Sequence, residues 1–302
     1  MSLITALFIA LAVFAVYYLV VLARGIQVAR ADGTTVKPNW IGIATGAFTN
    51  FLDTLGIGSF ATTTTIFRSA KEVRDEKLPG TLNVGHALPT VVEAITLTAL
   101  FRTAINPTTL VELIVAAVAG AWLGARVFGR WPRRKIQIGM GLALLGAVGV
   151  MFFRTVYGDP TGGNLLKLDG SLLIIGIVGN FVLGMLMTIG IGLYAPCMIL
   201  VSMLGMSPAA AFPVMMGSCA FLMPVASGNF IKAKSYDLKA SMGLLIGGIP
   251  GVLIAAYIVK SIPLLYLKWL VMAVVVYTAV SMLIAARKEQ SAPADLAPAA
   301  TH

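Results

Sequence analysis

Asp53 stands inside a long apolar run, three residues before Gly56-Ile57-Gly58. A carboxyl in such surroundings is costly and usually marks function. Two chemistries fit it. It could bind a proton or a cation, or it could be a structural carboxyl bonded to hydroxyls such as Thr54 or to backbone N–H groups. Asn50 and Thr54 are its helical neighbours and share its polar face. The stretch from Asp53 to Ala61 returns as Met187 to Ala195, with Thr, Gly, Ile, Gly and Ala at matching positions and Phe60 paired with Tyr194. Met187 replaces Asp53 in the second copy, so the duplication itself does not require an acid.

The glycines suggest a second chemistry. Gly56, Gly58, Gly190 and Gly192 supply backbone freedom that other residues lack. A new helix is expected to begin just after each pair, near Ser59 and near Tyr194. A helix start carries free N–H groups and about half a unit of positive charge. Two such starts facing each other would hold an anion without a buried Arg or Lys. Ser59 and the run Thr62 to Thr65 add hydroxyl donors, and Tyr194 adds a phenol. The plainer alternative is that the glycines only let helices pack closely. Their duplication favours the site.

A third group lies on one helix face. Asn83, His86, Thr90 and Glu93 are spaced by 3, 4 and 3 residues, with Pro89 between them as an expected kink. The stripe could pass protons from Glu93 to His86, or it could hold neighbouring helices by hydrogen bonds. Thr109-x-x-Glu112 after Pro107 reads as a capping box. Asn180 could help line the site, whereas Asn229 sits at a span end. Cys197 and Cys219 read as inert buried thiols. No spacing suggests a metal, and no cofactor is called for.

The elements that must position these groups follow from composition. The 302 residues are 58% apolar and 11% charged, against about 25% charged in a soluble domain. Apolar segments recur at 3–22, 41–67, 79–101, 108–128, 136–153, 171–206, 208–228, 240–259 and 264–286. Most can cross a bilayer, which takes about 20 residues. The chain is a polytopic all-α membrane protein. Its net charge of +10 lies in short loops and sets orientation, so nucleic acid is not expected as a partner.

The second and sixth segments carry the Gly-Ile-Gly breaks. If both are hairpins that enter and leave by one side, 17 of the 22 Lys and Arg fall on the cytoplasmic side, at 24–37, 68–77, 126–135, 232–239 and 287–288. Arg102, Arg154, Lys167 and Lys260 fall outside, and Lys268 lies in the last span. If the breaks are simple kinks, the asymmetry largely vanishes. The expected topology is therefore seven full spans and two opposed re-entrant hairpins, with the N-terminus outside and the C-terminus cytoplasmic.

The repeat continues beyond the hairpins. Leu78-Pro79 matches Phe212-Pro213 at the same offset, and Gly120 to Pro132 pairs loosely with Gly251 to Pro263. The expected plan is an extra span and loop at 1–40, one unit at 41–153, an outer loop and linker at 154–174, a second unit at 175–288 and a disordered tail at 289–302. Three spans per unit is an odd number, so the units are inverted. Paired broken helices in an inverted repeat point to a transporter's binding site. Unwound backbone survives at membrane depth only when packed in protein or lining a wet cavity.

The duplicated Gly-Ile-Gly segments, and the Gly-rich span running into Arg130-Trp131-Pro132, resemble the TauE/SafE-type sulfite exporter family of bacterial permeases over about 41–286. That family commonly has three consecutive glycines after the Gly-Ile step and a proline shortly after. Here the first copy reads Gly56-Ile57-Gly58-Ser59-Phe60, without the proline, whereas the second keeps Pro196. The substitutions at Ser59, Phe60, Leu193 and Tyr194 should narrow and reshape the pocket. The resemblance implies a secondary transporter of small sulfur-containing anions such as sulfite or organosulfonates, usually an exporter, in a bacterial inner membrane. The polar pathway of Asn50, Asp53, Asn83, His86, Thr90 and Glu93 could couple movement to protons or another cation. A passive anion channel and an uptake permease are the alternatives within transport. An intramembrane enzyme is remote, because no GxSxG, His-Glu-x-x-His or paired-aspartate motif occurs.

Overall fold

The computed structural model describes residues 2–33, 36–127, 133–157, 163, 165–187 and 193–291, and among them every regular element is a helix. Helix α1 (Leu3–Ala31) is capped by Ser2, whose hydroxyl accepts from the Thr5 N–H. The first interrupted segment forms α2 (Trp40–Thr54) and α3 (Ser59–Ser69). Then come α4 (Leu78–Leu100), α5 (Pro107–Val127) and α6 (Arg133–Tyr157). The second interrupted segment forms α7 (Gly170–Met187) and α8 (Tyr194–Met203), followed by α9 (Ala211–Lys232), α10 (Leu238–Ser261) and α11 (Leu264–Ser291).

Among the described residues, seven helices are long and apolar enough to cross a membrane: α1, α5, α6, α7, α9, α10 and α11. The number matches the expected seven full spans, but the membership differs. Helix α7 qualifies, although the sequence reading makes it a hairpin arm. Helix α4 has 23 residues and does not qualify, because its polar stripe lowers its hydropathy. That stripe is buried in protein rather than facing lipid: His86, Thr90 and Glu93 are all 0% exposed. Three boundaries also move. Helix α6 runs to Tyr157, into the expected outer loop, α7 starts at Gly170, and α11 reaches Ser291. The rest of the expected tail, 292–302, lies outside the described residues.

Glycine decides how the helices pair. Lipid offers apolar surface as good as leucine, so helices associate where small residues let backbones approach. Helix α10 lies on α2 in this way. A β-carbon at Gly247 would stand 1.9 Å from the Ile43 carbonyl oxygen, and one at Gly251 would stand 2.2 Å from that of Ala47. Helix α5 lies on α7 by the same means. A β-carbon at Gly120 would stand 1.9 Å from the Phe181 carbonyl oxygen, and one at Gly184 would stand 2.0 Å from that of Ala117. Helices α4 and α9 pack together, each with an internal proline, Pro89 or Pro224. Helix α6 packs on α11, and α1 leans on α9 and α4, with the Tyr18 hydroxyl donating to the Val84 carbonyl.

Both second arms fold back on the first. Thr63 of α3 lies 3.0 Å from Thr49 of α2, and Gly179 of α7 meets Leu200 of α8. Both second arms also end alike. The Glu72 N–H donates to the Phe67 carbonyl and the Lys71 N–H to that of Arg68, followed by a 3-10 turn at Asp75–Lys77. The Met206 N–H donates to Val201 and the Gly205 N–H to Ser202, followed by a 3-10 turn at Pro208–Ala210. These are Schellman-type ends with a residue of positive φ, Lys71 at 52° and Gly205 at 84°.

A polar clasp holds the base of the first hairpin. Asn39 caps α2 by accepting from the Gly42 N–H at 2.8 Å, and its amide donates to Glu72 beyond α3. Lys239 of α10 lies 3.8 Å from the same Glu72 carboxyl. At the start of α5 the expected capping box does not form. Asn106 caps instead, accepting from the Thr108 N–H, and Pro107 takes the first helical position that suits proline. The Thr109 hydroxyl is turned to the linker and accepts from the Leu168 N–H.

Candidate functional site

The break between α2 and α3 is built by two positive-φ glycines, Gly56 at 89° and Gly58 at 91°. Between them the chain turns so that Ser59, the first residue of α3, faces back to Asp53 near the end of α2. Asp53 Oδ1 accepts from the Ser59 N–H at 2.7 Å. Its other oxygen, Oδ2, accepts from the Tyr194 hydroxyl at 3.3 Å. Tyr194 is the first residue of α8. One carboxyl therefore ties the starts of both second arms together. The start of α3 already faces a carboxyl, and that carboxyl belongs to the chain. Asp53 is 2% exposed and Ser59 3%.

A second network lies beside it. Thr63 Oγ1 stands 3.0 Å from Thr49 Oγ1 and 3.0 Å from His86 Nε2. His86 Nδ1 lies 3.1 Å from Asn50 Oδ1, and the Asn50 amide nitrogen donates to the Gly46 carbonyl. With its nitrogen spent, Asn50 presents an acceptor, so a histidine proton belongs on Nδ1, while the one hydrogen of the Thr63 hydroxyl goes to Thr49, whose own goes to the Thr45 carbonyl. His86 thus has a polar neighbour at each ring nitrogen, and its ring lies 5.8 Å from that of Phe60 between centroids.

Glu93 differs. It is 0% exposed and neither oxygen makes a well-formed hydrogen bond. It lies close enough to Asp53 for the two carboxyls to interact, and it abuts Thr54. The Thr54 hydroxyl already donates to the Asn50 carbonyl at 2.9 Å. Thr90, three residues before Glu93 on α4, also has a buried hydroxyl without a partner. Glu93 and His86 make no hydrogen bond to each other. Glu93 points to Asp53, while His86 points to Thr63 and Asn50.

Other expected site residues fall elsewhere. The Thr62 hydroxyl donates to Ser59 O at 2.8 Å, Thr64 to Phe60 O and Thr65 to Ala61 O. These hydroxyls are spent inside their own helix, a habit of Ser and Thr in helices. Thr63 alone of the four reaches another helix. The Asn83 amide donates to the Pro79 carbonyl at 2.9 Å and takes no part in the His86 network. The Asn180 amide donates to the Leu113 carbonyl at 2.6 Å, in the α5–α7 contact rather than at the tips. Gly190 and Gly192 lie outside the described residues. Thr49 and Cys219 were not anticipated. Thr49 follows Thr45 by four residues on α2, which is the available signal. Cys219 of α9 meets Tyr194, and its thiol lies 3.8 Å from Met187 Sδ.

An open apolar groove of about 490 Å³ lies between α6 and α11, lined by Val148, Phe152, Trp269, Met272, Ala273, Val276 and Tyr277. Its lining is almost wholly apolar, with Trp269 and Tyr277 the residues that carry polar atoms. The buried polar groups gather at the closed cluster instead.

Seven of the described helices are long and apolar enough to cross a membrane, and the carboxyls of Asp53 and Glu93 are buried among the helices. The sequence matches the sulfite exporter TauE/SafE family over residues 1–152 and 172–301, and the chain belongs to that family. It is a multi-pass transmembrane transporter. No match was found among curated proteins or among solved structures.

Proposed function

We propose that the protein is a secondary transporter of small sulfur-containing anions, sulfite or organosulfonates, working as an exporter by alternating access about its two hairpins. The observation that carries this reading is the meeting of two helix starts, Ser59 of α3 and Tyr194 of α8, on one buried carboxyl. Around it Asn50, Thr63, His86 and Glu93 are all 0% exposed, so a substrate reaches this place only if the packing opens on one side or the other.

The inverted-repeat reading is supported by contacts that correspond between the halves. Gly120 meets Phe181, and Gly251 meets Ala47. Ala117 meets Gly184, and Gly248 meets Asn50. Leu113 meets Asn180, and Leu244 meets Gly46. In each comparison one partner moves by the offset that relates the hairpins and the other by the offset that relates Gly120 to Gly251. Each half thus lends its first arm to the other half. On this plan both hairpins are re-entrant, the units run 41–153 and 175–288, the N-terminus is outside and the C-terminus is in the cytoplasm of a bacterial cell.

Proton coupling through Asp53 and Glu93 is the accompanying mechanism, supported by two interacting carboxyls in a closed apolar setting. The test is flux of sulfite and of a small sulfonate in proteoliposomes, with and without an inward-acid gradient, for wild type, Glu93→Gln and Asp53→Asn. Flux that follows the gradient and loses that dependence in one variant is expected. Flux that ignores pH in wild type would make these acids structural and favour facilitated diffusion. No flux of either anion by folded protein would overturn the substrate class.

A further inference from the structure

The anion position at the start of α3 is filled by Asp53 itself. The Ser59 N–H gives its proton to Oδ1 at 2.7 Å, and the Tyr194 hydroxyl gives its proton to Oδ2 at 3.3 Å. Each of these donors has one hydrogen, so neither can serve a substrate oxygen while it serves Asp53. Nearby hydroxyls do not replace them, since Thr62, Thr64 and Thr65 are spent on backbone carbonyls of α3. Glu93, buried and without a hydrogen-bond partner, adds a second carboxyl to the same place. An incoming anion would compete with an ionised carboxyl in a closed, weakly screened setting, where like charges repel strongly.

We propose that the Asp53 carboxylate is a tethered competitor for the transported anion. Substrate binds by displacing it from the Ser59 N–H and the Tyr194 hydroxyl and takes those two donors for its own oxygens. The carboxyl is covalently held on α2, so its local concentration is fixed, and it lowers substrate affinity by a constant factor. Its release also unties the start of α3 from the start of α8, which makes anion binding and separation of the tips one event. Met187 holds the corresponding place on α7 and cannot act in this way, so the competitor exists on one hairpin only. The inference rests on the transport reading above, and it adds the group that sets affinity at that site.

The test is equilibrium binding of radiolabelled sulfite, and of a small sulfonate, to the full chain in lipid nanodiscs. Wild type is compared with Asp53→Asn, Asp53→Glu and Tyr194→Phe, each first shown to be monodisperse with a cooperative melt. Asp53→Asn keeps the shape and loses the charge, so sulfite should bind about tenfold more tightly or better. Asp53→Glu keeps the charge and should not show that gain. Tyr194→Phe removes a donor that the substrate is to inherit and should weaken binding. Infrared difference spectra of wild type on sulfite addition check the same step without a substitution, and a perturbed carboxylate band is expected. Measurable binding by wild type with equal or weaker binding by Asp53→Asn overturns the inference and leaves the transport reading standing. So does a carboxylate region unchanged by bound sulfite. Absence of binding by every protein, wild type included, overturns the transport reading and this inference with it.

Discussion

At the end of α2 stands Asp53, and at the corresponding place in α7 stands Met187. The two hairpins otherwise have much in common. Each has a second arm folded back on the first, a Schellman-type end and a 3-10 turn leading into a long helix with an internal proline. Each presses its first arm against another helix through glycines, α2 on α10 and α7 on α5. Their chemistry differs. Around the first tip gather Asp53, Ser59, Thr49, Thr63, Asn50, His86 and Glu93, most of them hydrogen-bonded to one another. Around the second, Met187 meets the Cys219 thiol, and Tyr194 reaches across to the first tip for its acceptor. The shared part is what backbone geometry and close packing require. The unshared part is the polar cluster on which the proposed transport chemistry rests.

The comparison breaks most decisively at the glycine contacts, because both halves depend on them alike. Gly247→Leu and Gly120→Leu would each drive a side chain into a carbonyl oxygen that even a β-carbon would approach within 1.9 Å. Neither backbone can yield without separating two helices. Both substitutions should prevent a stable fold, measured as loss of monodisperse protein on detergent extraction and of a cooperative melt. Comparable losses on the two sides would sharpen the idea of a common frame. Tolerance at one side only would show that the two contacts do not do the same job.

A smaller effect is expected at the first break. Gly58 has φ 91° and ψ 134°, a region open in practice to glycine alone, and a β-carbon there would meet nothing within 4 Å. Gly58→Ala should therefore cost the strain of that backbone and nothing else, roughly 1–3 kcal/mol. At Gly56 the φ is 89° and a β-carbon would also lie 2.8 Å from Met198 Cε. Gly56→Ala should cost more than Gly58→Ala, though methionine can shift. Thermal melts of the two variants in one detergent check the order. A reversed order would mean that packing by Met198 does not restrain the first tip.

Much of this was legible in the residues. Apolar runs gave every long helix, and the duplicated Gly-Ile-Gly gave both breaks and the place where chemistry gathers. What was not legible depends on partners. His86 and Glu93 share a helix face, which suggested a pair, but a helix of 3.6 residues per turn carries them almost two turns apart, about 10 Å along the axis. His86 meets α2 and α3 at Thr63 and Asn50, while Glu93 meets the tip. The run Thr62 to Thr65 looked like four donors, and three of them turned inward to their own helix, because a carbonyl one turn back is always within reach. Helix α4 reads as an ordinary span, yet much of its polar face is buried against protein inside the bundle, which is why a sequence short of apolar residues can still lie there. The placing of the Asp53 carboxyl at a helix start needed the turn at Gly56 and Gly58, which brings Ser59 back to it.

The smallest effect is expected at the base of the first hairpin. Asn39 caps α2 and also binds Glu72, which Lys239 approaches from α10. Asn39→Ala removes a capping bond, which typically costs ~1 kcal/mol, and leaves a partly buried carboxylate with the lysine alone. Lys239→Ala removes a longer contact at 3.8 Å from a lysine side chain 43% exposed, and should cost at most about 1 kcal/mol. The two changes touch one carboxyl, so they should not add, and a double-mutant cycle measures the shortfall. The second hairpin has no such clasp in its Schellman end, where Met206 stands in place of Glu72 and is 0% exposed. A measurable loss in Asn39→Ala, with the tip's binding properties intact, would mark the base as an anchor against which the first tip moves. A change in sulfite affinity of the size expected for Asp53→Asn would instead mean that base and tip are one rigid unit, and that the separation of α3 from α8 must take place at α8.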